Sequence, residues 1–368
     1  MARITDYIQQ YGNVSFDKLS FNQLDAAILT QLSLLDLSGV ISDDKFITIK
    51  DAYSLYKSLN NDKERREELL IYRRINNLFK LIANKERYSN LLLSDYEEVI
   101  TQDNPCQFSA LSIHLGNKIM VSFGGTDDSV VGWHEDFLLL YSEEIPSHTL
   151  GLKYLNRIAK KYDSNFILCG HSKGANIAMN VTLWTNKSNN ERIEKVYCFD
   201  GPGINKKTFD NEKLSDRISK ITSYIPYKSS IGKLFDHYEK YEIVDCSANL
   251  VFQHDISTWH VDYVDFVYKD KESNDSIYLD NHIKRMVADL DQSSREIFVT
   301  SLFKILYVSE VGTYREASKK KKQIVQNIFK LTKEERKIFN RIIFKGMIKD
   351  PKILKMLVSI LKERRKID

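Results

Sequence analysis

The chain has 368 residues, enough for one large or two moderate domains that each bury a core. Apolar residues make up 42% and charged residues 28%, a balance that excludes a disordered chain. The N-terminus lacks a signal-peptide pattern, no run of about 18 apolar residues occurs, and the four cysteines show no CxxC spacing. We therefore expect a cytoplasmic protein without a membrane span.

Charge is unevenly distributed along the chain. Residues 315–368 contain 18 Lys/Arg and 6 Asp/Glu and carry a net charge of +12, whereas the remaining residues carry −8. Such a segment attracts anionic lipid headgroups, so contact with an anionic membrane surface is one prediction. Basic residues also alternate with acidic and apolar residues at helical spacing, which favours a solvated helical face. No nucleic-acid motif accompanies them, and we expect no nucleic-acid partner.

The first hundred residues have helical periodicity. In "FNQLDAAILTQLSLLDL", Leu24, Ile28, Leu32 and Leu35 fall on one face after an N-cap candidate, Asn22. We predict an N-terminal helical region over residues 1–100 that packs on the core.

The pattern changes at Cys106 to short apolar runs separated by turn residues. "ALSIHL" and "KIMVSFG", joined by a Gly-Asn turn, predict a β-hairpin. Further strands are predicted at "FLLLY", "NFILCG", "KVYCFD", "KITSYI" and "YEIVDCS", and helices at 147–162, 174–184 and 229–238. This alternation predicts an α/β core over residues 101–275, with a mostly parallel sheet flanked by helices.

Helical segments follow after Ile277. Thr332 with Glu335 predicts a capping box, and Asp350 before Pro351 predicts another helix start. We predict a basic C-terminal helical region over residues 276–368.

The stretch "FILCGHSKGANIAMN" contains a Gly-x-Ser-x-Gly motif between an apolar strand and a helix. That context is typical of a nucleophile elbow, in which a strained turn exposes the serine at a helix N-terminus. Ser172 is therefore the candidate nucleophile. An ordinary tight turn is the alternative, because two glycines around a serine also serve turns.

A serine nucleophile requires a base and an acid, which follow it in the chain in this fold. Asp200 ends the next strand and is the candidate acid, with Asp245 as the alternative and Asp236 a weaker one. His254, in a loop after the last long strand, is the candidate base, and His260 is the alternative. The order of these residues predicts a Ser-His-Asp triad. His171 precedes the serine and is expected to pack beside the elbow, not to act as the base.

Acyl transfer also requires donors for an oxyanion. The backbone N–H of Lys173, directly after the serine, is the first candidate. The turn at Gly125 and Thr126, after an apolar strand, supplies the second, and the Thr126 hydroxyl is a further donor.

These motifs resemble the class 3 lipases and, more closely, the Mbeg1-like (DUF2974) family of lipase-like α/β hydrolases. The resemblance rests on "GTDD" from Gly125 followed by Trp133, on "GHSKG", on "DGPG" from Asp200, and on "QHD" from Gln253 with Trp259; it covers roughly residues 20 to 270. It implies an α/β-hydrolase fold and a serine hydrolase of the carboxylesterase or lipase type, acting on a small-molecule or lipid ester without metal or cofactor.

Two alternatives to ester hydrolysis stay open at the level of sequence. One is a catalytically inactive lipase-like module that binds lipid or a protein partner, and the other is an acyltransferase. Class 3 lipases place their acid one strand later than Asp200, where "ITSYIPYKSS" offers no carboxylate, so the acid is the least determined member of the triad.

Overall fold

The computed structural model describes residues 1–42, 45–60, 70–204, 211–248, 250–307, 312–313, 319–343 and 350. The chain divides into two compact units. Unit 1 comprises residues 1–99, 108–125 and 147–273, and unit 2 comprises residues 100–107, 126–146 and 274–368. The domain boundaries near residues 100 and 275, which we infer from the sequence, stay a prediction.

The N-terminal part of unit 1 is largely helical. Its helices are α1 (Ile4–Tyr11), α2 (Gln23–Thr30), continued by a 3₁₀ turn (Gln31–Leu34), α3 (Ile49–Asn60), α4 (Leu70–Ala83) and α5 (Glu86–Ser89). The Asn22 side chain caps α2 by accepting hydrogen bonds from the N–H groups of Leu24 and Asp25, which confirms the predicted cap. The buried residues of α2 join the apolar core formed by the sheet, and so fix this helix on one sheet face.

A nine-stranded sheet forms the centre of the fold. Its strands are β2 (Ile47–Thr48), β3 (Leu92–Thr101), β4 (Cys106–His114), β5 (Lys118–Phe123), β6 (Asn165–His171), β7 (Ile193–Phe199), β8 (Ile221–Pro226), β9 (Lys240–Val244) and β12 (Tyr268–Lys269). The spatial order is β12-β9-β8-β7-β6-β5-β4-β3-β2. A small second sheet contains β1 (Ala2–Arg3), β10 (His260–Asp262) and β11 (Asp265–Phe266).

The five strands from β5 to β9 run parallel, in chain order, and this arrangement positions the site. Helices connect the strands from β5 to β8, namely α7 (Pro146–Lys161), α8 (Lys173–Trp184), the short α9 (Lys187–Glu191) and α10 (Asn211–Ile218), and turns join β8 to β9. Because the strands are parallel, the residues that follow β5, β6 and β7 all emerge at one edge of the sheet. The mostly parallel sheet flanked by helices confirms the fold class expected from the sequence.

Four of the secondary-structure predictions can be compared directly with the structure. The hairpin of β4 and β5 is confirmed by antiparallel pairing. "FLLLY" is not a strand, because its first residues complete helix α6 (Val130–Leu138). No helix occupies 229–238, where the chain forms turns whose N–H groups bond to side chains and to neighbouring loops. The N-terminal region is not wholly helical, because it contains β3. The sequence of β3 is charged and alternating, and for this reason the strand was not predicted.

Unit 2 contains α6 and the C-terminal helices α11 (Asn274–Ala288), α12 (Gln292–Leu306), α13 (Lys321–Lys330) and α14 (Lys333–Asn340). Val130, Val299 and Phe303 form its small apolar core. The capping box of Thr332 and Glu335 is confirmed. The predicted helix after Pro351 lies outside the described residues. Within the described ranges, no helix combines the length and apolarity needed to cross a membrane.

All four cysteines are free thiols, and Cys106, Cys169 and Cys198 lie buried within strands. Burial raises the pKa of Cys169 and Cys246 to about 12. These thiols therefore stay protonated at neutral pH and pack as small apolar groups.

Candidate active site

Ser172 lies in the turn between strand β6 and helix α8. Its backbone has φ 58° and ψ −128°, a conformation that strains a residue with a Cβ. The turn is anchored from the side, because the Ser172 N–H donates a hydrogen bond to the Phe199 carbonyl at 2.9 Å. The serine is partly exposed while its neighbours in the motif are buried.

The two glycines of the motif are required by close backbone contacts. A Cβ at Gly170 would lie 2.1 Å from the carbonyl of Gly174, and a Cβ at Gly174 would lie 2.1 Å from the Phe123 carbonyl oxygen. Neither neighbour is the end of a flexible side chain, so neither can give way. The motif therefore allows helix α8 to begin directly against strands β5 and β6.

Asp200 directly follows strand β7 and is buried. Its φ is 43°, so it also adopts the left-handed conformation that a sharp turn requires. The Oδ1 atom accepts hydrogen bonds from the Ser229 hydroxyl at 2.5 Å and from the Gly232 N–H at 3.1 Å. These donors orient the carboxylate and leave Oδ2 for another partner.

His254 supplies that partner. Its Nδ1 lies 2.7 Å from Oδ2 of Asp200, and the two side chains are 23% and 2% exposed, respectively. A carboxylate accepts, so Nδ1 carries the proton and a neutral ring keeps Nε2 as a proton acceptor. The pair can therefore act as an oriented base, although 54 residues separate its members in the chain.

His171, which precedes the serine, contacts the same histidine. The two rings lie 4.4 Å apart between centroids, and His171 Nε2 donates to the His254 backbone carbonyl at 2.7 Å. Burial, together with the charge that His254 would carry, holds the pKa of His171 well below its ordinary value. A neutral His171 therefore holds the backbone of the His254 loop in place.

The alternative acid and base pair with each other. His260 Nδ1 lies 3.1 Å from Asp245 Oδ2, and Lys269 Nζ lies 3.5 Å from the same oxygen. Asp236 forms an isolated backbone bridge with Ile204. The structure thus brings Asp200 and His254 together and places Asp245 with His260.

The candidate oxyanion donors differ in their surroundings. Gly125 lies against the serine, since a Cβ built on it would be 3.4 Å from the Ser172 Cβ. Lys173 begins helix α8, so its N–H is directed out of the helix N-terminus. The Thr126 hydroxyl donates a hydrogen bond to the Asp136 carboxylate at 2.7 Å. Its hydrogen is therefore engaged, and the structure does not offer this hydroxyl as the oxyanion donor predicted from the sequence.

Sequence reasoning missed Ser229 and Gly232 as partners of Asp200 and missed the bond from His171 to the His254 carbonyl. All three contacts join distant parts of the chain, and the turn residues of "YKSSIG" gave no signal of them. Over the described ranges, no group of three His, Cys, Asp or Glu side chains is placed to hold a metal ion.

A strained serine between a parallel strand and a helix, followed along the chain by an acid and a histidine, defines the fold as that of the α/β hydrolases. The chain belongs to the Mbeg1-like family, whose sequence model matches residues 82–304. That match begins later than the resemblance seen in the motifs and extends into α12.

The chain is also similar to several solved lipase structures. M37 lipase is 12% identical, with 58% of this chain and 70% of that chain covered and a TM-score of 0.34. The lipase from Rhizopus microsporus var. chinensis is 12% identical over 65% and 87% of the two chains, with a TM-score of 0.32. Lip2 lipase from Yarrowia lipolytica is 13% identical over 46% and 69%, with a TM-score of 0.30. No curated protein sequence matches the chain significantly.

Proposed function

We propose that the protein is a serine hydrolase that cleaves carboxylic esters through an acyl-enzyme intermediate. The observation that carries the proposal is the hydrogen-bonded pair of Asp200 and His254 beside the strained elbow that presents Ser172. Strain at a residue is retained only where the surrounding structure enforces it, and such residues cluster at functional sites.

In this mechanism His254 Nε2 removes the hydroxyl proton of Ser172 as the serine oxygen attacks the ester carbonyl. Asp200 keeps the proton on Nδ1 and stabilises the imidazolium that forms, because its carboxylate is buried and oriented by Ser229 and Gly232. The same histidine then protonates the departing alcohol. A water molecule, deprotonated by His254, releases the acid and restores the serine.

The tetrahedral oxyanion would be stabilised at the start of helix α8. The backbone N–H groups of Lys173 and Gly125 are the donors that we assign, and the positive end of the helix dipole adds to them. The Thr126 hydroxyl contributes indirectly, since its bond to Asp136 fixes the turn that follows Gly125.

Hydrolysis of short p-nitrophenyl esters by the purified chain tests the proposal. We expect turnover that is lost in Ser172→Ala, and labelling of the wild type but not of this variant by a fluorophosphonate, which reacts only with an activated serine. Folded wild-type protein that neither labels nor hydrolyses esters would overturn the proposal and favour the inactive lipid- or protein-binding module.

An acyltransferase would share these residues and the acyl-enzyme. It is distinguished by adding alcohols to the ester assay: transfer to the alcohol at the expense of free acid would identify an acceptor other than water. We assign hydrolysis because no feature of the described site selects an acceptor.

A further inference from the structure

A cavity of about 500 Å³ lies in unit 1 next to the segment that carries His254. Helices α1 and α4, the end of α2 with its 3₁₀ turn, and residues 255–258 form its walls. This volume falls within the roughly 300–1,000 Å³ typical of small-molecule sites. The residues proposed for catalysis are not among its lining residues, so it is a separate space.

The cavity has a mixed lining. Ile4, Ala27, Ile75, Leu78 and Ile256 supply apolar surface. The cationic side chains of Arg3, Arg74 and Lys80 also line it, against one carboxylate, Asp255. This combination suits a molecule with an aliphatic part and an anionic end.

One polar group of the cavity wall, on Gln31, lacks a hydrogen-bond partner within the described part of the chain. The Gln31 side chain is part of the cavity wall and the residue is 5% exposed, yet its Nε2 has no hydrogen-bond partner among the described residues. A buried donor without a partner costs free energy and is rare in folded proteins. A polar ligand group in the cavity would offer the acceptor after a change of the Gln31 rotamer.

Arg74 indicates which kind of anion the cavity would bind. Its guanidinium already forms an ion pair with the carboxylate of Asp255, the residue directly after His254. We propose that the cavity binds a monocarboxylate with an aliphatic chain, such as a fatty acid, and that the ligand carboxylate competes with Asp255 for Arg74. Ligand binding then loosens the segment that positions His254, and so slows reactions of Ser172. This coupling between the cavity and Ser172 rests on the proposed function, whereas the binding itself does not.

Binding is tested with sodium decanoate by ligand-detected NMR, on the Ser172→Ala variant so that no turnover intervenes. We expect Arg74→Gln to weaken binding about tenfold, the loss of one charge-assisted hydrogen bond, and Leu78→Trp to abolish it by filling the cavity. Arg73→Gln, one position away on α4 and outside the cavity lining, is the matched control and should bind as before. Thermal unfolding confirms that each variant is folded; unchanged binding in folded Arg74→Gln and Leu78→Trp would overturn the site.

Coupling is tested by the rate of fluorophosphonate labelling of the wild type. Decanoate should slow labelling of the wild type, whereas labelling of Leu78→Trp, which keeps the Arg74 to Asp255 pair, should not respond to decanoate. An equal response in Leu78→Trp would show that decanoate competes at Ser172 and would overturn the coupling. If the wild type does not label at all, the proposed hydrolase fails, while the NMR experiment still decides the site.

A different observation, on helix α13 of unit 2, carries a second proposal. Val325 and Phe329 are one helical turn apart and are 50% and 73% exposed. Lys321 and Lys322 lie one turn before them on the same face. Residues 319–343 contain nine Lys/Arg and two Asp/Glu, so an exposed apolar stripe continues into a cluster of positive charge.

We infer that α13 docks on an anionic lipid bilayer, with Phe329 and Val325 entering the interface and the lysines contacting headgroups. Isolated exposed apolar residues need no explanation, but an apolar stripe beside a lysine cluster is the pattern of interfacial helices. Charge complementarity selects an anionic surface over a neutral one.

Co-sedimentation with vesicles of phosphatidylcholine and phosphatidylglycerol tests the docking. Replacing Lys319–Lys322 by Gln should lower partitioning on the order of a hundredfold, and Val325→Ser with Phe329→Ser should lower it about tenfold. Tyr263→Ser removes an equally exposed aromatic residue, 73%, from unit 1 and is the control. Equal binding to pure phosphatidylcholine, or unchanged binding in both α13 variants, would overturn the proposal; a protein partner for this face would give no vesicle binding.

Discussion

Asp200 and His254 are joined by a hydrogen bond of 2.7 Å between Oδ2 and Nδ1, across 54 residues of sequence. The carboxylate is held on its other oxygen by Ser229 and Gly232, and the histidine loop is held by His171. Both members of the pair are therefore held in place, which suits the proposed role of His254 as a base that must keep one tautomer. Its rivals, Asp245 and His260, form a pair of their own.

This arrangement predicts different effects for the two acids. We expect Asp200→Asn to lower kcat for ester hydrolysis by about 10⁴-fold, because an amide in that position no longer selects the Nδ1–H tautomer. Asp245→Asn is the matched control and should leave kcat unchanged. Steady-state kinetics with a p-nitrophenyl ester measures both, and a large loss in Asp245→Asn alone would contradict the assignment of Asp200.

The strained backbone of Ser172 predicts a gain in stability when its Cβ is removed. Ser172→Gly should raise the free energy of unfolding by about 1 kcal/mol, because the strain released exceeds the added entropy of the unfolded glycine. Ser172→Ala retains the Cβ and should not show this gain, while both variants lose activity. Urea unfolding measures the difference, and equal stability of the two variants would argue against strain at the elbow.

The ion pair of Arg87 and Asp25 predicts a large effect on stability in the N-terminal helices. Both side chains are 0% exposed, and Asp25 also accepts hydrogen bonds from Tyr88 at 2.7 Å and Tyr7 at 3.2 Å. Arg87→Met should therefore cost about 3–5 kcal/mol, since it leaves a buried carboxylate without its cation.

The surface pair of Lys118 and Glu194 provides the control for that experiment, because both side chains are about one-third exposed. Lys118→Met should cost less than about 1 kcal/mol. Chemical denaturation of the two variants measures both costs. Equal costs would show that burial does not determine the contribution of the Arg87 pair.

His134 in unit 2 predicts how stability depends on pH. Its ring stacks on Phe303 at 4.2 Å, and burial lowers its pKa from 6.5 to about 4. Below pH 6.5 the unfolded chain binds a proton at this residue that the folded chain does not bind until about pH 4. The free energy of unfolding should therefore fall as the pH decreases from 6.5 to 4.

His134→Phe keeps the stacking and should make that dependence shallower. Tyr307→Phe is the control, because it removes the hydrogen bond to His134 and leaves the titrating ring in place. Urea unfolding between pH 4 and 7 compares the three proteins. The same slope in the wild type and in His134→Phe would contradict the expectation.

The sequence by itself determined the elbow and the parallel core. Gly170 and Gly174 flank Ser172 between an apolar strand and a helix, and these are local patterns that a chain encodes over a dozen residues. The sequence also predicted that Ser172, Asp200 and His254 meet, because the residues that follow parallel strands lie at one edge of the sheet. Local periodicity failed where tertiary contacts override it, as at "FLLLY", which ends a helix, and at β3, which is charged.

Only the tertiary structure decided which acid meets which histidine. Asp200 and Asp245 both end predicted strands, and His254 and His260 both follow them, so the sequence favours Asp200 and His254 but does not determine how the four residues pair. Their pairing depends on how β7, β8 and β9 lie side by side and on where the loop with Gln253 returns, which no local pattern specifies. The donors to the Asp200 carboxylate, the His171 bond and the cavity beside Arg74 likewise exist only when distant segments pack together, because a hydrogen bond or a cavity is a property of atoms in contact and not of the order of residues.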